Sequence, residues 1–304
     1  MVDVVGVGLN ATDILIPVKD FPASGSKVEI HSASPMLGGQ VASAMAACQQ
    51  WGLSTRYVGK FGDDYFAQLH QAEFQRLGVE THLATAPGAT SQQAYILVDR
   101  HGERTVLWKR DPSIALVPEE LQQEWIETAG ILLVDGHDTP AATQAARWAR
   151  AANIPVVADL DELYPGVEHL LPNIDYLITS RDIPGKLTET NDLHVSLPEL
   201  FHRYNSRLTA ATLGSEGVLA YDGHNFTYCP AFQINAADTT GAGDTFHAAF
   251  IYGLRQAWPL ERQLIFASAA AALNCTALGA RGGIHSVHEI EHLIATARRH
   301  PAVF

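Results

Sequence analysis

The feature that most constrains this chain is the segment Asp238-Thr-Thr-Gly-Ala-Gly-Asp244, which runs directly into the apolar residues 246 to 254. A glycine-containing loop that opens onto a helix exposes backbone amides at the helix N-terminus, where the helix dipole also favours negative charge. Gly241, Ala242 and Gly243 would present these amides, and the two glycines have no Cβ to keep a ligand away. The segment therefore predicts an anion site that suits a phosphoryl group.

Asp244 adds a carboxylate beside this predicted anion site. A second negative charge repels a phosphate, so binding alone does not explain an aspartate at this position. Base chemistry explains it, because a hydroxyl that attacks phosphorus must lose its proton. The alternative from the residues alone is an aspartate that caps a helix after a glycine turn.

Two segments resemble the signatures of the ribokinase (PfkB-type) family of carbohydrate and nucleoside kinases. Residues 238 to 246 are similar to the C-terminal signature, and Leu37-Gly-Gly-Gln-Val-Ala-Ser-Ala-Met-Ala is similar to the N-terminal Gly-Gly signature. The two segments occur in the family's order, and the resemblance covers essentially the whole chain. It implies a kinase that uses ATP and Mg²⁺, with Asp244 as the catalytic base.

The resemblance also implies where the acceptor binds. Asp13 corresponds to a family aspartate that hydrogen-bonds sugar hydroxyls, and a carboxylate can accept two such bonds side by side. Gly38 and Gly39, which open a helix through residues 41 to 51, are implied to turn backbone amides toward the same ligand. Ser43 departs from the family pattern, in which many members have an asparagine that binds the sugar, and this leaves the shape of that side of the pocket open.

The nucleotide site is implied by a second glycine-containing loop. Thr212-Leu-Gly-Ser-Glu-Gly217 resembles the loop in which family members approach the ATP phosphates and ribose. The resemblance therefore implies contacts to ATP from Thr212, Gly214 and Gly217, together with Thr239.

Two ion sites follow from the resemblance. Segment 278 to 283 is where family members complete the adenine pocket, and its carbonyls, with Asp238 and Thr240, imply a monovalent cation site that binds K⁺. The family's NxxE element, which is linked to metal-bound water, has no counterpart near residues 178 to 184. Asp182 is the nearest substitute, so how Mg²⁺ is held stays open.

The alternation of elements from residue 118 onward predicts the architecture. Helical patterns at residues 118 to 129, 141 to 152 and 197 to 204 alternate with strand patterns at 131 to 134, 156 to 158, 176 to 179 and 208 to 213. Such a rhythm predicts a doubly wound, mostly parallel α/β sheet with helices on both faces. With 304 residues and 47% hydrophobic content, we expect one ribokinase-like domain over residues 1 to 304, carrying a small β-sheet lid from about 13 to 36 and 90 to 110.

Residues 93 to 109 predict a hairpin with its turn at 100 to 103 and apolar side chains on both faces. A two-stranded flap cannot bury both faces against one body, so something else must cover the second face. The family's β lid, which closes over the sugar and often clasps the lid of a second subunit, would satisfy this requirement. We therefore expect a homodimer.

Charge and cysteine content limit partners and location. A net charge of −13 without a basic block argues against nucleic acid or an acidic membrane surface as a partner. Cys48, Cys229 and Cys275 are scattered and lack CxxC spacing, which indicates a reducing cytoplasm. We expect no signal peptide or membrane helix. His285, His288 and His292 share a helical face, which is more typical of an exposed surface than of a metal site.

The expected reaction is phosphorylation of a hydroxyl, in particular a primary CH₂OH, on a small neutral sugar. A nucleoside kinase would use the same catalytic loop with a different acceptor pocket. A sugar-acid kinase of the 2-keto-3-deoxygluconate type is the other alternative, because such family members grip the carboxylate with an arginine in a stretch comparable to Trp108-Lys-Arg-Asp-Pro-Ser113. Arg110, or Lys109 in its place, would then bind the acid.

Overall fold

The protein folds around two β-sheets. The computed structural model describes residues 1–100 and 104–304. The strands are β1 (Val2–Val7), β2 (Ala11–Pro17), β3 (Ser34–Gly38), β4 (Thr55–Gly62), β5 (Glu80–Ala86), β6 (Gln93–Val98), β7 (Arg104–Lys109), β8 (Ala129–Asp135), β9 (Val156–Leu160), β10 (Tyr176–Ser180), β11 (Leu208–Thr212), β12 (Val218–Tyr221) and β13 (Phe226–Cys229). The α-helices are α1 (Gln40–Gln50), α2 (Tyr65–Leu77), α3 (Gln123–Glu127), α4 (Thr139–Ala151), α5 (Val167–Leu170), α6 (Ile183–Thr188), α7 (Leu193–Tyr204), α8 (Ala242–Arg255), α9 (Leu260–Asn274) and α10 (Val287–Thr296).

The main sheet has nine strands in the order β13-β12-β11-β10-β9-β8-β1-β4-β5. All neighbours from β11 to β5 pair in parallel, and only β12 and β13 at one edge are antiparallel. The chain leaves β1 toward β5 and later returns to add β8 on the other side, so the strand order reverses at β1. Ligands of open α/β sheets collect at the carboxyl ends of strands beside such a reversal. The predicted doubly wound α/β class is confirmed.

Apolar side chains cover both faces of the main sheet. One core contains α1, α8 and α9, whose small and aromatic residues pack against β1, β8 and β10. The other core contains α4 and the opposite side of β1, β8 and β9. Strands buried on both faces explain why these segments read as continuous apolar runs rather than as alternating patterns.

A second sheet of four strands has the order β3-β2-β6-β7. The predicted hairpin is present as β6 and β7, with Ala94 opposite Trp108 and Tyr95 opposite Leu107. Its turn was expected at residues 100 to 103, and residues 101 to 103 lie outside the described part of the chain. The residue bounds of the lid stay a prediction.

The predicted helix over residues 118 to 129 is wrong. A short 3₁₀ turn occupies Pro118–Glu120, and the Glu120 side chain accepts a hydrogen bond from the Val117 amide at 3.1 Å. Leu121 then takes an extended conformation with φ −92° and ψ 150°, which breaks the helix and lets its side chain enter the core beneath α4. The remainder of the segment is the five-residue helix α3. Burial of Leu121 outweighs the helical propensity of its neighbours.

Along residues 1–100 and 104–304, none of the helices combines the length and the apolar character that a membrane crossing requires.

Candidate active site

The loop before α8 has the geometry that its sequence predicts. Gly241 is the residue before the helix and has φ 75°, a left-handed value that favours glycine. A Cβ at this position would lie 2.3 Å from the backbone oxygen of Ala280, so the loop also needs glycine for space. The Asp238 carboxylate holds the loop by accepting bonds from Thr240 N (2.9 Å), Thr240 Oγ1 (2.7 Å) and Gly279 N (2.8 Å).

The predicted anion site at the start of α8 is partly used by the protein itself. The Ala242 amide donates to Thr239 O at 3.3 Å and is therefore already used within the loop. The other amides at the N-terminus of α8 point out of the helix. α8 is 14 residues long, so its dipole is fully developed at this end. The loop therefore offers the amides of Gly241 and Gly243 to an anion before that of Ala242.

Asp244 lies in the first turn of α8 and is half-buried at the base of a cavity. Burial and the negative charge of Asp161 raise the pKa of Asp244 to about 6. A hydrogen bond with Ser43 and the positive charge of Arg281 oppose this increase. A carboxylate with a pKa near 6 is still ionised at neutral pH and is a stronger base than an exposed aspartate.

The cavity above Asp244 has a volume of about 530 Å³ and is the candidate acceptor site. Its polar and charged side chains are Asp13, Gln40, Gln92, His137, Asp161, Glu162, Tyr164, Thr240 and Asp244, and its apolar lining includes Ala94, Ile96, Val106 and Trp108 from the second sheet. Among the described residues, no lysine or arginine lines it.

The predicted acceptor residues reach this cavity to different degrees. Asp13 and Gly39 line it directly. Gly38 lies behind Asp13, because a Cβ on Gly38 would come within 2.5 Å of Asp13 Oδ2. Ser43 does not line the cavity; its hydroxyl accepts a hydrogen bond from Arg281 Nε at 3.2 Å, and its side chain lowers the pKa of Asp244.

Arg110 lies outside the lining of the acceptor cavity. Its Nη2 donates to Asp138 Oδ1 at 2.6 Å, and the two side chains are only 16% and 8% exposed. The adjacent Asp111 does not neutralise Arg110, because its carboxylate accepts bonds from Ser113. The structure therefore gives Arg110 a buried carboxylate partner within the protein.

A second cavity of about 420 Å³ lies on the other side of the α8 N-terminus. The predicted nucleotide residues Thr212, Gly214, Gly217 and Thr239 all line it, together with Ala242 and Gly243. The remaining lining is largely apolar: Ala231, Phe232, Ile234, Ala236, Phe246, Ala271, Ala272 and Cys275. An apolar slot next to glycine-rich turns fits a flat nucleobase with its phosphates directed to α8.

The two cavities share one wall. Thr240, Gly241 and Asp244 border the acceptor cavity, while Thr239, Ala242 and Gly243 border the nucleotide cavity. A group that passes from one cavity to the other must cross the start of α8. This arrangement suits direct transfer of a phosphoryl group between two bound substrates.

Several residues in or beside the acceptor cavity were given no role by the sequence analysis. Asp161 follows the end of β9 and lines the cavity, whereas Asp159 lies within β9 and does not, and the Gln40 side chain lowers the pKa of both aspartates. His137 Nε2 and the Tyr164 hydroxyl are 2.8 Å apart, and burial lowers the pKa of His137 to about 3, so its ring is neutral. The available signal was their place at, or within four residues after, the carboxyl ends of β8 and β9.

Two other predicted features do not contribute to either cavity. Asp182, the nearest substitute for the missing NxxE element, is exposed at the start of α6 and borders neither cavity. His285, His288 and His292 line a separate shallow depression. Over the described residues, no cluster of three or more His, Cys, Asp or Glu side chains could hold a metal ion.

Comparison with known proteins agrees with this geometry. The ribokinase of Bacillus subtilis is 25% identical over 293 residues, which cover 95% of this chain and 98% of the ribokinase. A 5-dehydro-2-deoxygluconokinase of Halalkalibacterium halodurans is 26% identical over 290 residues, with 88% and 87% coverage. The structure of Arabidopsis thaliana ribokinase complexed with ribose and ATP superimposes with a TM-score of 0.82 at 24% identity, with 97% and 99% coverage.

The family relationship covers nearly the whole chain. Residues 1–286 match the description "pfkB family carbohydrate kinase". This range includes both glycine signatures and every residue that lines the two cavities except His300. The chain therefore belongs to the pfkB family, and the protein is a carbohydrate kinase.

Proposed function

We propose that the protein transfers the γ-phosphoryl group of ATP to a primary hydroxyl of a neutral sugar. The observation that carries this proposal is the charge of the acceptor cavity, which has Asp13, Asp161, Glu162 and Asp244 in its lining and no lysine or arginine among the described residues. Carboxylates accept hydrogen bonds from sugar hydroxyls, whereas they repel a carboxylate or a phosphate on the acceptor. The ribokinase name of the B. subtilis relative supports a pentose.

In the proposed reaction, Asp13 orients the sugar by accepting hydrogen bonds from two of its hydroxyls, and the backbone at Gly38 and Gly39 supports it. Asp244 takes the proton of the attacking hydroxyl as the bond to phosphorus forms. The amides of Gly241 and Gly243 stabilise the charge on the transferring group, and one such donor is typically worth about two to three powers of ten in rate. Val106 and Trp108 from the second sheet exclude water.

Magnesium is assigned to the phosphates of ATP rather than to a protein cage. In kinase sites Mg²⁺ usually keeps several waters and binds one or two carboxylates in addition to the phosphates. Asp161 and Glu162, which line the acceptor cavity after β9, are the carboxylates that fit this requirement. When bound, Mg²⁺ neutralises negative charge on the phosphates.

A potassium ion is proposed behind the α8 loop. Asn274 supports it, because its Nδ2 donates to Thr240 O at 3.0 Å while its buried Oδ1 has no hydrogen-bond partner. A bound cation would explain a buried oxygen that has no hydrogen-bond partner. Since the Asp238 carboxylate already accepts three hydrogen bonds, Asp238 and Thr240 would contribute backbone oxygens.

We expect higher activity in potassium chloride than in tetramethylammonium chloride at equal ionic strength and fixed Mg²⁺. The bulky organic cation cannot enter a site behind the loop, so the loop would lose its support. Initial rates at saturating substrates measure the effect. Equal rates in the two salts would contradict the monovalent site.

The proposed acceptor class is tested with γ-radiolabelled ATP and a panel of neutral pentoses and hexoses, sugar acids and nucleosides. We expect the highest kcat/KM for a neutral sugar. The name of the H. halodurans relative makes a sugar acid the alternative. Preference for an acid or a nucleoside would overturn the proposal, while transfer to none of the panel would leave the kinase without an acceptor among these classes.

The Arg110→Met variant adds a second test of acceptor charge. Because Arg110 is paired with Asp138, we expect the KM of a neutral sugar to stay within about twofold of wild type and the thermal midpoint to fall. If Arg110 gripped an acid, the loss of a charge-assisted pair would raise KM about ten- to a hundredfold. Steady-state kinetics and thermal unfolding of the same preparation separate these outcomes.

A homodimer through the second sheet is also proposed. The strand register directs Ala94, Ile96, Val106 and Trp108 toward the acceptor cavity and Tyr95 and Leu107 away from it. Tyr95 is 39% and Leu107 is 58% exposed, an apolar outer face that a second copy would bury. Cys48, Cys229 and Cys275 are buried thiols, which supports a reducing cytoplasm as the proposed location.

We expect the wild-type protein to sediment as a dimer at micromolar concentration and Leu107→Asp to shift it toward monomer. A charge at an apolar contact loses its hydration without gaining a partner. Val195→Asp is the matched control, because Val195 is 51% exposed on α7, far from the second sheet in sequence. A wild-type monomer, or equal dissociation of both variants, would count against this interface.

A further inference from the structure

Arg281 lies in the loop between α9 and α10, where the resemblance implied only a role toward adenine and a cation. Its side chain is 6% exposed and points away from the nucleotide cavity, which it does not line. Nε donates to Ser43 Oγ at 3.2 Å, Nη2 donates to Gly38 O at 2.9 Å, and Nη1 pairs with Glu73. The guanidinium also lies 5.5 Å from the ring centre of Phe74.

The contact to Ser43 determines what that hydroxyl can do. Because Arg281 Nε is a donor, Ser43 Oγ must act as the acceptor in this contact, and its own proton is available for another partner. The carboxylate of Asp244 lies near this hydroxyl, since the Ser43 side chain lowers its pKa. The guanidinium donates to the hydroxyl and thereby leaves the hydroxyl proton available to the carboxylate.

The contact to Gly38 reaches the acceptor side of the same cavity. Gly38 pairs with Ala11 across β2 and β3, and its Cα is so close to Asp13 that a Cβ would lie 2.5 Å from Oδ2. By holding Gly38 O, Arg281 fixes the backbone against which the Asp13 carboxylate rests. One planar group thus supports Asp244 through Ser43 and Asp13 through Gly38.

We propose that Arg281 is a positioning residue of the kinase reaction, which sets the orientation of Asp244 through Ser43 and that of Asp13 through Gly38. The proposal rests on the function assigned above to Asp244 and Asp13. The planar fork is essential to it, because its donors lie on three separate nitrogens in one rigid plane and reach partners farther apart than the single nitrogen of an ammonium can. A purely structural role would instead need only the ion pair with Glu73 and the contact with Phe74.

The same geometry predicts a change in pH dependence. Asp244 faces Asp161 and Asp159 from the end of β9, Ser43 from α1 and Arg281 from its loop, and Asp13 lies on β2 in the same cavity. Burial and the negative charge of Asp161 raise the pKa of Asp244, and Ser43 and Arg281 lower it. His247, one turn after Asp244, is neutral because burial lowers its pKa to about 4. Loss of Ser43 or Arg281 should therefore raise the pKa of Asp244 and move the acidic fall in rate to higher pH.

The test uses Ser43→Ala, Arg281→Lys and the double variant of the full chain. We expect each single variant to lower kcat/KM for the acceptor about ten- to a hundredfold, with KM for ATP unchanged. The acidic limb of the pH profile should shift upward in Ser43→Ala and less in Arg281→Lys, because lysine keeps the positive charge. Arg281 and Ser43 act on Asp244 through the same contact. The kcat/KM of the double variant should therefore lie within about threefold of that of Arg281→Lys. In Arg281→Ala, added guanidinium chloride at non-denaturing concentration should restore part of the rate.

Two variants serve as matched controls, and Ser43→Ala tests the proposal without changing Arg281. Ser196→Ala removes a buried hydroxyl with no partner on α7, and Arg262→Lys alters an arginine paired with Glu291 at the surface; both should behave as wild type. Wild-type kcat/KM and pH profile in Ser43→Ala would overturn the proposal, even if the Arg281 variants do not fold. If Asp244→Asn keeps wild-type turnover, the proposed role of Asp244 as the base is wrong. If Asp244→Asn loses activity but Ser43→Ala and Arg281→Lys keep it, the role of Arg281 alone is wrong.

Discussion

Replacement of Asp244 by asparagine is expected to lower kcat by about two to four powers of ten, the usual contribution of a general base. Asparagine keeps the size of the side chain and much of the loop geometry, but an amide cannot accept the proton of the attacking hydroxyl. KM for ATP should change little, because Asp244 borders the acceptor cavity and not the nucleotide cavity. Steady-state kinetics with the acceptor found in the panel provide the measurement.

The pH profile gives a second readout for Asp244. Because the carboxylate must be ionised to accept a proton, kcat/KM of the wild type should fall as pH decreases through about 6. This limb should be absent from the residual activity of Asp244→Asn. Asp182→Asn, at an exposed position at the start of α6, is the matched control and should retain full activity. Turnover of Asp244→Asn within about threefold of wild type would mean that Asp244 only caps the helix.

Gly241→Ala is expected to lower kcat about a hundred- to a thousandfold. Alanine at φ 75° is strained by about 1–2 kcal/mol, and its Cβ would meet the Ala280 backbone oxygen at 2.3 Å. A backbone atom cannot rotate out of the way as a side chain can, so the loop must move. The amides that face the transferring group then lose their alignment. Single-turnover rates and the thermal midpoint, measured together, separate the loss of rate from any loss of folding.

Gly243→Ala is the control for Gly241→Ala. A Cβ on Gly243 would have no atom of the protein within 4 Å, and within α8 alanine is favoured over glycine by about 1 kcal/mol. Its thermal midpoint should equal or exceed that of the wild type. Any drop in kcat/KM for ATP without a loss of stability would report how closely the nucleotide approaches this residue. A Gly241→Ala variant with normal stability and normal turnover would show that catalysis does not depend on this loop conformation.

The elements that sequence analysis predicted correctly are those with local signals. The Asp238 to Asp244 loop carries Gly241 where the backbone has φ 75°, and α8 follows in the apolar run that begins at residue 246. The hairpin of β6 and β7 was visible from its apolar strands. The segment after Pro118 was mispredicted because the position of Leu121 is determined by the core beneath α4, which no local pattern records.

The missing parts of the site depend on contacts between distant segments. Arg281 and Ser43 are 238 positions apart, and only the folded chain brings the guanidinium to the hydroxyl. Asp161 is one of many acidic residues in the sequence, and it gains importance only because β9 ends next to α8. Arg110 was correctly identified as a cation near the lid, but its partner Asp138 follows β8 and was not predictable from the neighbouring residues.

The two cavities on either side of the shared wall are lined by different segments of the chain. Every residue that lines the nucleotide cavity comes from position 212 onward, whereas the acceptor cavity takes its lining from positions up to 164, apart from Thr240, Gly241, Asp244 and Ala280 at the shared wall. Substitutions in the first segment, apart from Asp161, Glu162 and the residues that Arg281 contacts, therefore alter the choice of sugar without changing the lining of the nucleotide cavity. A chimaera joined between 164 and 212 can redirect the specificity and keep the nucleotide cavity, provided that the new first segment retains Gly38, Ser43 and Glu73 as partners of Arg281.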